Sequence, residues 1–155
     1  MLDNFRAQSI LAADKYVDEP YKMKKEGGII HYSYPVNLPG SDELLEFMIT
    51  FEMNQINLSF HHSNEDTNIA RYEHGLNGKI PTHRNPSGCS PPGLIVGNHK
   101  HRFNGRYRDD CAYIPTDIDT SSLEAIVRTF CEECGIKFAS SLPPGRQIPL
   151  PQDLD

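Results

Sequence analysis

The chain has 155 residues and a formal net charge of −6, with 37% hydrophobic residues, 23% charged residues and no tryptophan. The hydrophobic content excludes a disordered chain, the length corresponds to about one domain, and the acidic balance argues against a generally basic nucleic-acid-binding protein. No apolar run is long enough for a signal peptide or a membrane span. We therefore expect a cytoplasmic protein without membrane contact, in which the four cysteines are free thiols.

The N-terminal half predicts one helix followed by a series of strands. Residues 4–17 have a loosely helical apolar pattern. After Gly27-Gly28, residues 29–36 alternate bulky and polar side chains as a strand does. Residues 44–62 continue with a period of two and a turn near Asn54, which predicts a β-hairpin, and residues 68–73 predict a further strand.

The next stretch predicts a long loop and then a second hairpin. Residues 74–93 contain four glycines and four prolines, and such a segment inside a compact domain is typical of a functional loop. Residues 94–103 are strand-like. Asn104-Gly105 predicts a two-residue hairpin turn, with a return strand over residues 106–114.

The C-terminal part predicts an amphipathic helix from Thr120 to Cys134, with Ser121 and Glu124 at capping-box spacing and Gly135 as the C-terminal cap. Residues 136–140 predict a last edge strand. The sum is an α+β fold: a curved, mostly antiparallel sheet of five or six strands with the C-terminal helix packed on one face and a short N-terminal helix. We expect a single domain over residues 1–140 and a proline-rich flexible tail over residues 141–155.

Residues 61–110 concentrate the polar chemistry of the chain. They hold six of the seven histidines, and seven Lys/Arg against five Asp/Glu give this window a formal charge of +2, which leaves −8 for the remainder. A positive, histidine-rich centre in an acidic protein indicates a local anion-binding site.

His99 and His101 stand out in this window because alternation along a strand sends both imidazoles to one face and Lys100 to the other. Two imidazoles on one surface can act as general base and general acid when a ribose 2′-hydroxyl attacks its own phosphate, a reaction that needs no metal. Cations must stabilise the phosphorane, and Tyr107 can stack on a base or supply a proton. The candidate cations are Arg71, Arg106 and Arg108.

Other interpretations of these residues stay open. The H-x-H pair with His83 or an acid is a feasible zinc or manganese site, although its spacing matches no known motif. Histidines on strands also bond neighbouring loops for purely structural reasons. Cys131 and Cys134 form a C-x-x-C at the end of the helix, and without a second pair they are better explained as buried thiols.

Six short motifs occur in order along the chain: RY at 71–72, HRNPSG at 83–88, GNHKHRF at 97–103, YRD at 107–109, AYIP at 112–115 and FCEECGI at 130–136. As a set, they resemble a family of small bacterial proteins related in pattern to the TumE-type toxins of toxin–antitoxin modules. The resemblance covers residues 55–138. Two departures are Cys111, where that family has an aromatic residue, and an SPPG-like insertion between Gly88 and Gly97.

The resemblance implies a toxin-like endoribonuclease, and together with the histidine pair it predicts a metal-independent enzyme without a cofactor. The expected partners are RNA and a cognate antitoxin protein with a DNA-binding domain, with a homodimer left open. The predicted catalytic residues are His99, His101, His83, Arg71 and Tyr107. The predicted substrate-binding residues are Arg108, Arg106, Asn85 and Asp109.

An alternative function needs no catalysis. The net charge of −6 argues against tight binding to long RNA, because phosphate contacts dominate that affinity. In this alternative the chain is an interaction or inhibitor protein of a phage or mobile element, which acts through its acidic surface, and the histidines are structural.

Overall fold

The structure, a computed structural model, describes residues 1–139. The predicted tail, residues 141–155, and residue 140 lie outside the described residues. The two helices are α1 (Asn4–Ala12) and α2 (Leu123–Glu133). The strands are β1 (Lys15–Val17), β2 (Lys22–Glu26), β3 (Ile29–Val36), β4 (Leu45–Glu52), β5 (Gln55–His62), β6 (Thr67–Gly75), β7 (Thr82–Asn85), β8 (Gly93–Val96), β9 (His99–Arg102), β10 (Ala112–Tyr113) and β11 (Ile136–Phe138). Neither helix has the length and apolar composition that crossing a membrane requires.

A seven-stranded antiparallel sheet forms the centre of the fold, in the order β10-β9-β6-β5-β4-β3-β2. The predicted α+β class with an antiparallel sheet is confirmed, but the predicted number of strands is too low. One missed strand is β2, whose sequence KMKKE is exposed at every position and so has no apolar alternation. Lysine-rich sequence is a common way to protect the edge of a sheet, which is where β2 lies.

The two faces of the sheet differ in character. Apolar side chains of β3 to β6 cover one face, and α1 and α2 pack against it. Phe130 of α2 stacks on Phe47 of β4 with ring centroids 5.9 Å apart. The opposite face carries mainly polar side chains, because strand alternation places the intervening residues there.

The helix ends differ from the predicted ones. Ser122, not Ser121, caps α2, and its side chain accepts a hydrogen bond from the backbone N–H of Ala125 at 3.0 Å. Gly135 follows α2 with a φ of +69°, as expected for its cap role. The N-terminal helix ends at Ala12, before the predicted residue 17, and the buried ammonium of Lys15 donates to the carbonyls of its last turn.

The last edge strand, predicted over residues 136–140, forms over residues 136–138, but it does not join the main sheet. It pairs in parallel with β1 in a separate two-stranded sheet. The two strands meet because α2 returns the chain across the sheet to a position beside the end of α1. Neither short segment contains a pattern that predicts this pairing.

The predicted strand over residues 94–103 is two strands in different sheets. Gly97, with a φ of +113°, turns the chain between β8 and β9. β8 pairs with β7, which lies inside the segment predicted as irregular, whereas β9 pairs with β6 and β10. The prediction of a two-residue turn at Asn104-Gly105 is also wrong, because the backbone bridge closes between Asn104 and Arg108.

The expectation of four free cysteines is wrong for one pair. Cys89 and Cys111 form a disulfide that joins the loop after β7 to the segment before β10, with their Cα atoms 5.5 Å apart. The two cysteines are 22 residues apart, and the sequence does not predict that they pair, because the fold brings them together. Cys131 and Cys134 are free and buried as predicted, and burial raises the pKa of the Cys134 thiol to about 12.

Candidate functional site

The candidate site lies on the polar face of the sheet, where β6 and β9 pair. Glu73 is the register partner of His99, and Arg71 is the partner of His101. Alternation places these four side chains on the face turned away from the helices. The prediction that His99 and His101 share a face is confirmed, and their ring centroids lie 5.0 Å apart. Lys100 points to the other face, where it pairs with Glu133 of α2.

Glu73 connects the two imidazoles, although the sequence did not single it out. One of its carboxylate oxygens, Oε2, lies 2.5 Å from His99 Nε2 and 3.2 Å from His101 Nε2. Alternation along β6 indicates that Glu73 faces the same way as Arg71, but the pairing of β6 with β9 is invisible in the sequence. Although burial opposes the shift, the close approach of His101, His99 and the Arg71 guanidinium holds the pKa of Glu73 well below its usual range.

Backbone carbonyls fix the orientation of both imidazoles. His99 Nδ1 lies 2.9 Å from the Gly97 carbonyl oxygen, and His101 Nδ1 lies 2.8 Å from the Asp109 carbonyl oxygen. Because a carbonyl only accepts, each Nδ1 carries a hydrogen and each Nε2 is turned toward Glu73. Arg71 Nη2 lies 3.2 Å from His101 Nδ1, and this is a contact rather than a hydrogen bond, since both atoms carry hydrogens. Burial lowers the pKa of His101.

The β7–β8 hairpin, residues 82–96, covers the cluster and brings in a third imidazole. The His83 ring meets the His101 ring edge-on with centroids 4.6 Å apart, and it lies 5.9 Å from the His99 ring. His83 Nε2 donates to the Asp110 carbonyl at 2.6 Å. The side chain of His83 remains 18% exposed, whereas those of His99 and His101 are fully buried. We call Glu73, His83, His99 and His101 the histidine cluster.

An ion pair flanks the cluster at the surface. Arg71 Nε lies 3.0 Å from Asp109 Oδ2, and both side chains are more than one quarter exposed. Asp109 also accepts from the Asn68 side chain at 2.9 Å. The pair holds a guanidinium beside His101 with part of its surface open to solvent.

The structure places Asn85 in a supporting position. Its side-chain amide donates to the carbonyls of Pro91 and Ala112, and its side-chain oxygen accepts from the Ala112 N–H. The two bonds to Ala112 attach the β7–β8 hairpin to β10, and the bond to Pro91 closes the loop of the hairpin itself. Asn85 is buried, so its amide is occupied by the protein itself.

Three further predicted residues lie in the turn between β9 and β10. Arg108 donates to the Glu65 carbonyl at 3.0 Å, and Arg106 lies over the Tyr107 ring at 5.3 Å. The Tyr107 hydroxyl packs against Gly88 so closely that no Cβ fits at position 88. Within residues 1–139 we find no contact between these three side chains and the histidine cluster.

Residues 2–136 match a family described as a family of unknown function, DUF6978. The chain belongs to the DUF6978 family. No curated protein and no solved structure matches the chain. The DUF6978 description states no activity, so the resemblance to TumE-type toxins, the ribonuclease activity and the antitoxin partner stay predictions.

Proposed function

We propose that this DUF6978 protein is an endoribonuclease that cleaves RNA at the solvent side of the histidine cluster. One observation supports this proposal above the others: His83 and Arg71 both contact the buried His101 ring while parts of their own side chains stay exposed. A proton acceptor and a phosphate-binding cation therefore lie on either side of one imidazole.

His83 takes the role of general base in this proposal. Its Nε2 hydrogen is committed to the Asp110 carbonyl, so in the neutral ring Nδ1 carries the lone pair. That nitrogen can accept the proton of a ribose 2′-hydroxyl as the oxygen bonds to the adjacent phosphorus. The bond from phosphorus to the 5′-oxygen then breaks, and the leaving oxygen takes a proton from water, which gives a 2′,3′-cyclic phosphate and a 5′-hydroxyl. The side chain is 18% exposed, which gives a substrate access to the ring from solvent.

Arg71 takes the role of phosphate ligand. A guanidinium binds two phosphate oxygens at once and stabilises the extra negative charge of the phosphorane. Asp109 forms an ion pair with the guanidinium at Nε, and the Arg71 side chain stays 28% exposed, so a phosphate can approach it from solvent. Neither the step at His83 nor the one at Arg71 requires a metal ion at the reacting phosphate.

The roles of His99 and His101 differ here from the prediction that both transfer protons to and from RNA. Both side chains are fully buried and both Nε2 atoms face Glu73. We assign them to positioning: His101 supports the His83 ring, and His99 holds Glu73.

Induced expression in bacteria tests this proposal, with growth recorded and total RNA separated on a gel. The wild type should stop growth and produce RNA fragments, whereas His83→Ala and Arg71→Ala should do neither. His31→Ala is the matched control, because His31 is a half-buried strand histidine whose Nδ1 lies 3.1 Å from the Thr50 hydroxyl, away from the cluster. Arg128→Ala, in the exposed part of α2, is the control for Arg71.

The same variants, purified and checked for folding by circular dichroism, should then be incubated with RNA. Cleavage by the wild type and both controls, but not by the two site variants, would support the assignment. Equal cleavage by His83→Ala would remove His83 from the mechanism. Normal growth and intact RNA with the wild type would overturn the proposal and favour the acidic interaction protein.

A further inference from the structure

We propose that Glu73, His99 and His101 bind one divalent transition-metal ion. The proposal goes beyond RNA cleavage, because this part of the cluster lies beneath His83 and does not depend on a substrate. The three residues offer two imidazole nitrogens and one carboxylate oxygen, and these candidate ligand atoms all lie within 4.8 Å of one another. Nitrogen and oxygen donors of these types are those that zinc, iron and manganese take in proteins.

All three side chains come from two paired strands. His99 and His101 leave the same face of β9, and Glu73 faces them from the register position opposite His99 on β6. Both imidazoles are fully buried, so their rings are held by packing. The only movement that an ion requires is a small separation of the three donor atoms.

The hydrogen bonds behind the imidazoles are those that metal-binding histidines make. Each Nδ1 donates to a backbone carbonyl, that of Gly97 or that of Asp109, and each Nε2 faces the carboxylate. This outer bond fixes the tautomer with a lone pair on Nε2 and orients the ring toward an ion.

The space among these three donor atoms suits a single cation. Two imidazole Nε2 atoms and one carboxylate oxygen lie within 4.8 Å of one another, and the Nδ1 atom of each ring is bonded outward to a backbone carbonyl. A single divalent ion satisfies all three donors.

A second buried histidine–carboxylate pair in the same sheet shows the contrasting arrangement. His62 is fully buried and its Nε2 contacts Glu43, as His99 contacts Glu73. However, His62 Nδ1 accepts from the Glu65 N–H, so Nε2 carries the hydrogen and donates it to Glu43. In this pair every donor has an acceptor without an ion, and Glu43 is also paired with Arg6. His62 is therefore a matched control for the burial of a histidine beside a carboxylate.

Metal binding should be measured on the untagged full chain after dialysis against a chelator. Zinc is the first probe, titrated by calorimetry, with the bound metal counted by mass spectrometry. The wild type should bind one zinc ion per chain. His62→Ala should bind zinc with the same stoichiometry and affinity. The ligand variants Glu73→Gln, His99→Ala and His101→Ala should bind zinc at least about 100-fold more weakly. That loss exceeds the one expected when a residue that only hydrogen-bonds a metal ligand is removed.

Cobalt provides a readout that does not depend on the stability of the variants. Co²⁺ added to the wild type and to Glu73→Gln, which keeps the shape of the side chain, should give a visible absorption band only in the wild type. Failure of the folded wild type to bind zinc, manganese, iron(II) or cobalt would overturn the proposal, as would equal binding by Glu73→Gln.

The metal proposal and the ribonuclease proposal fail separately. His83→Ala should lose cleavage and still bind one zinc ion, because His83 is not among the three ligands. A wild type that binds zinc but never cleaves RNA would leave the metal site standing and remove the proposed function. Cleavage by a wild type that binds none of the four metals would support the proposed function and overturn the metal site.

Discussion

Glu73 and His99 lie opposite each other on β6 and β9, 26 residues apart in sequence, with His99 Nε2 2.5 Å from a Glu73 carboxylate oxygen. The pairing of two strands, not a local motif, therefore creates the centre of the candidate site. Around this pair the buried groups are fixed by backbone bonds, while His83 and Arg71 meet the solvent. The stability of the site and its chemistry should accordingly respond to different substitutions.

His101→Ala should destabilise the protein by about 2 to 4 kcal/mol, because it removes a fully buried ring and leaves the Asp109 carbonyl without its donor. His83→Ala should cost less than about 1 kcal/mol, since the ring is partly exposed. Urea unfolding in the presence of a chelator measures both. A His101→Ala variant as stable as the wild type would show that the ring is not part of the packed structure.

Asn85→Ala should cost about 2 to 3 kcal/mol, because two hydrogen bonds from the β7–β8 hairpin to Ala112 and one within the hairpin disappear. Thermal or urea unfolding measures the loss. The control is Asn57→Ala, whose side chain bonds other side chains near the surface. Wild-type stability combined with weaker RNA binding would instead place Asn85 in substrate recognition.

Reduction of the Cys89–Cys111 disulfide should lower the free energy of unfolding by about 3 kcal/mol, the loop-closure value for a separation of this size. It should also increase hydrogen exchange over residues 82–96, because the disulfide attaches this hairpin beside β10. Exchange followed by mass spectrometry, with and without a reductant, tests this. Cys131→Ser with the disulfide intact controls for the buried thiols, and unchanged exchange after reduction would count against the anchoring role.

The ion pair between Lys100 and Glu133 should respond unequally to the loss of either partner. Lys100 is fully buried, and burial lowers its pKa. Glu133→Gln removes the nearer of the two carboxylates that pair with this ammonium, leaving only Asp117 at 3.9 Å, and should cost about 3 to 5 kcal/mol. Lys100→Met replaces a buried charge by an apolar chain and should cost under about 1 kcal/mol. Glu133 keeps Arg102 as its partner in the second variant. Equal losses in urea unfolding would contradict this asymmetry.

Local patterns were enough to predict most of the secondary structure. Alternation of apolar and polar residues predicts β3 to β6, and the apolar stripe with its glycine cap predicts α2. The same alternation places His99 and His101 on one face and Lys100 on the other. These features depend on residues close together in sequence, so the sequence carries them directly.

Only the tertiary structure decided which residues share the site. Strand pairing brings Glu73 to the two imidazoles, and the β7–β8 hairpin brings His83, because Gly97 turns the chain where the sequence predicts a continuous strand. Arg106, Arg108 and Tyr107 lie in the turn between β9 and β10 and stay away from the cluster. The amino-acid sequence by itself determined the strand faces and the helix, whereas the burial of each imidazole and its partners followed from long-range pairing that no local spacing encodes.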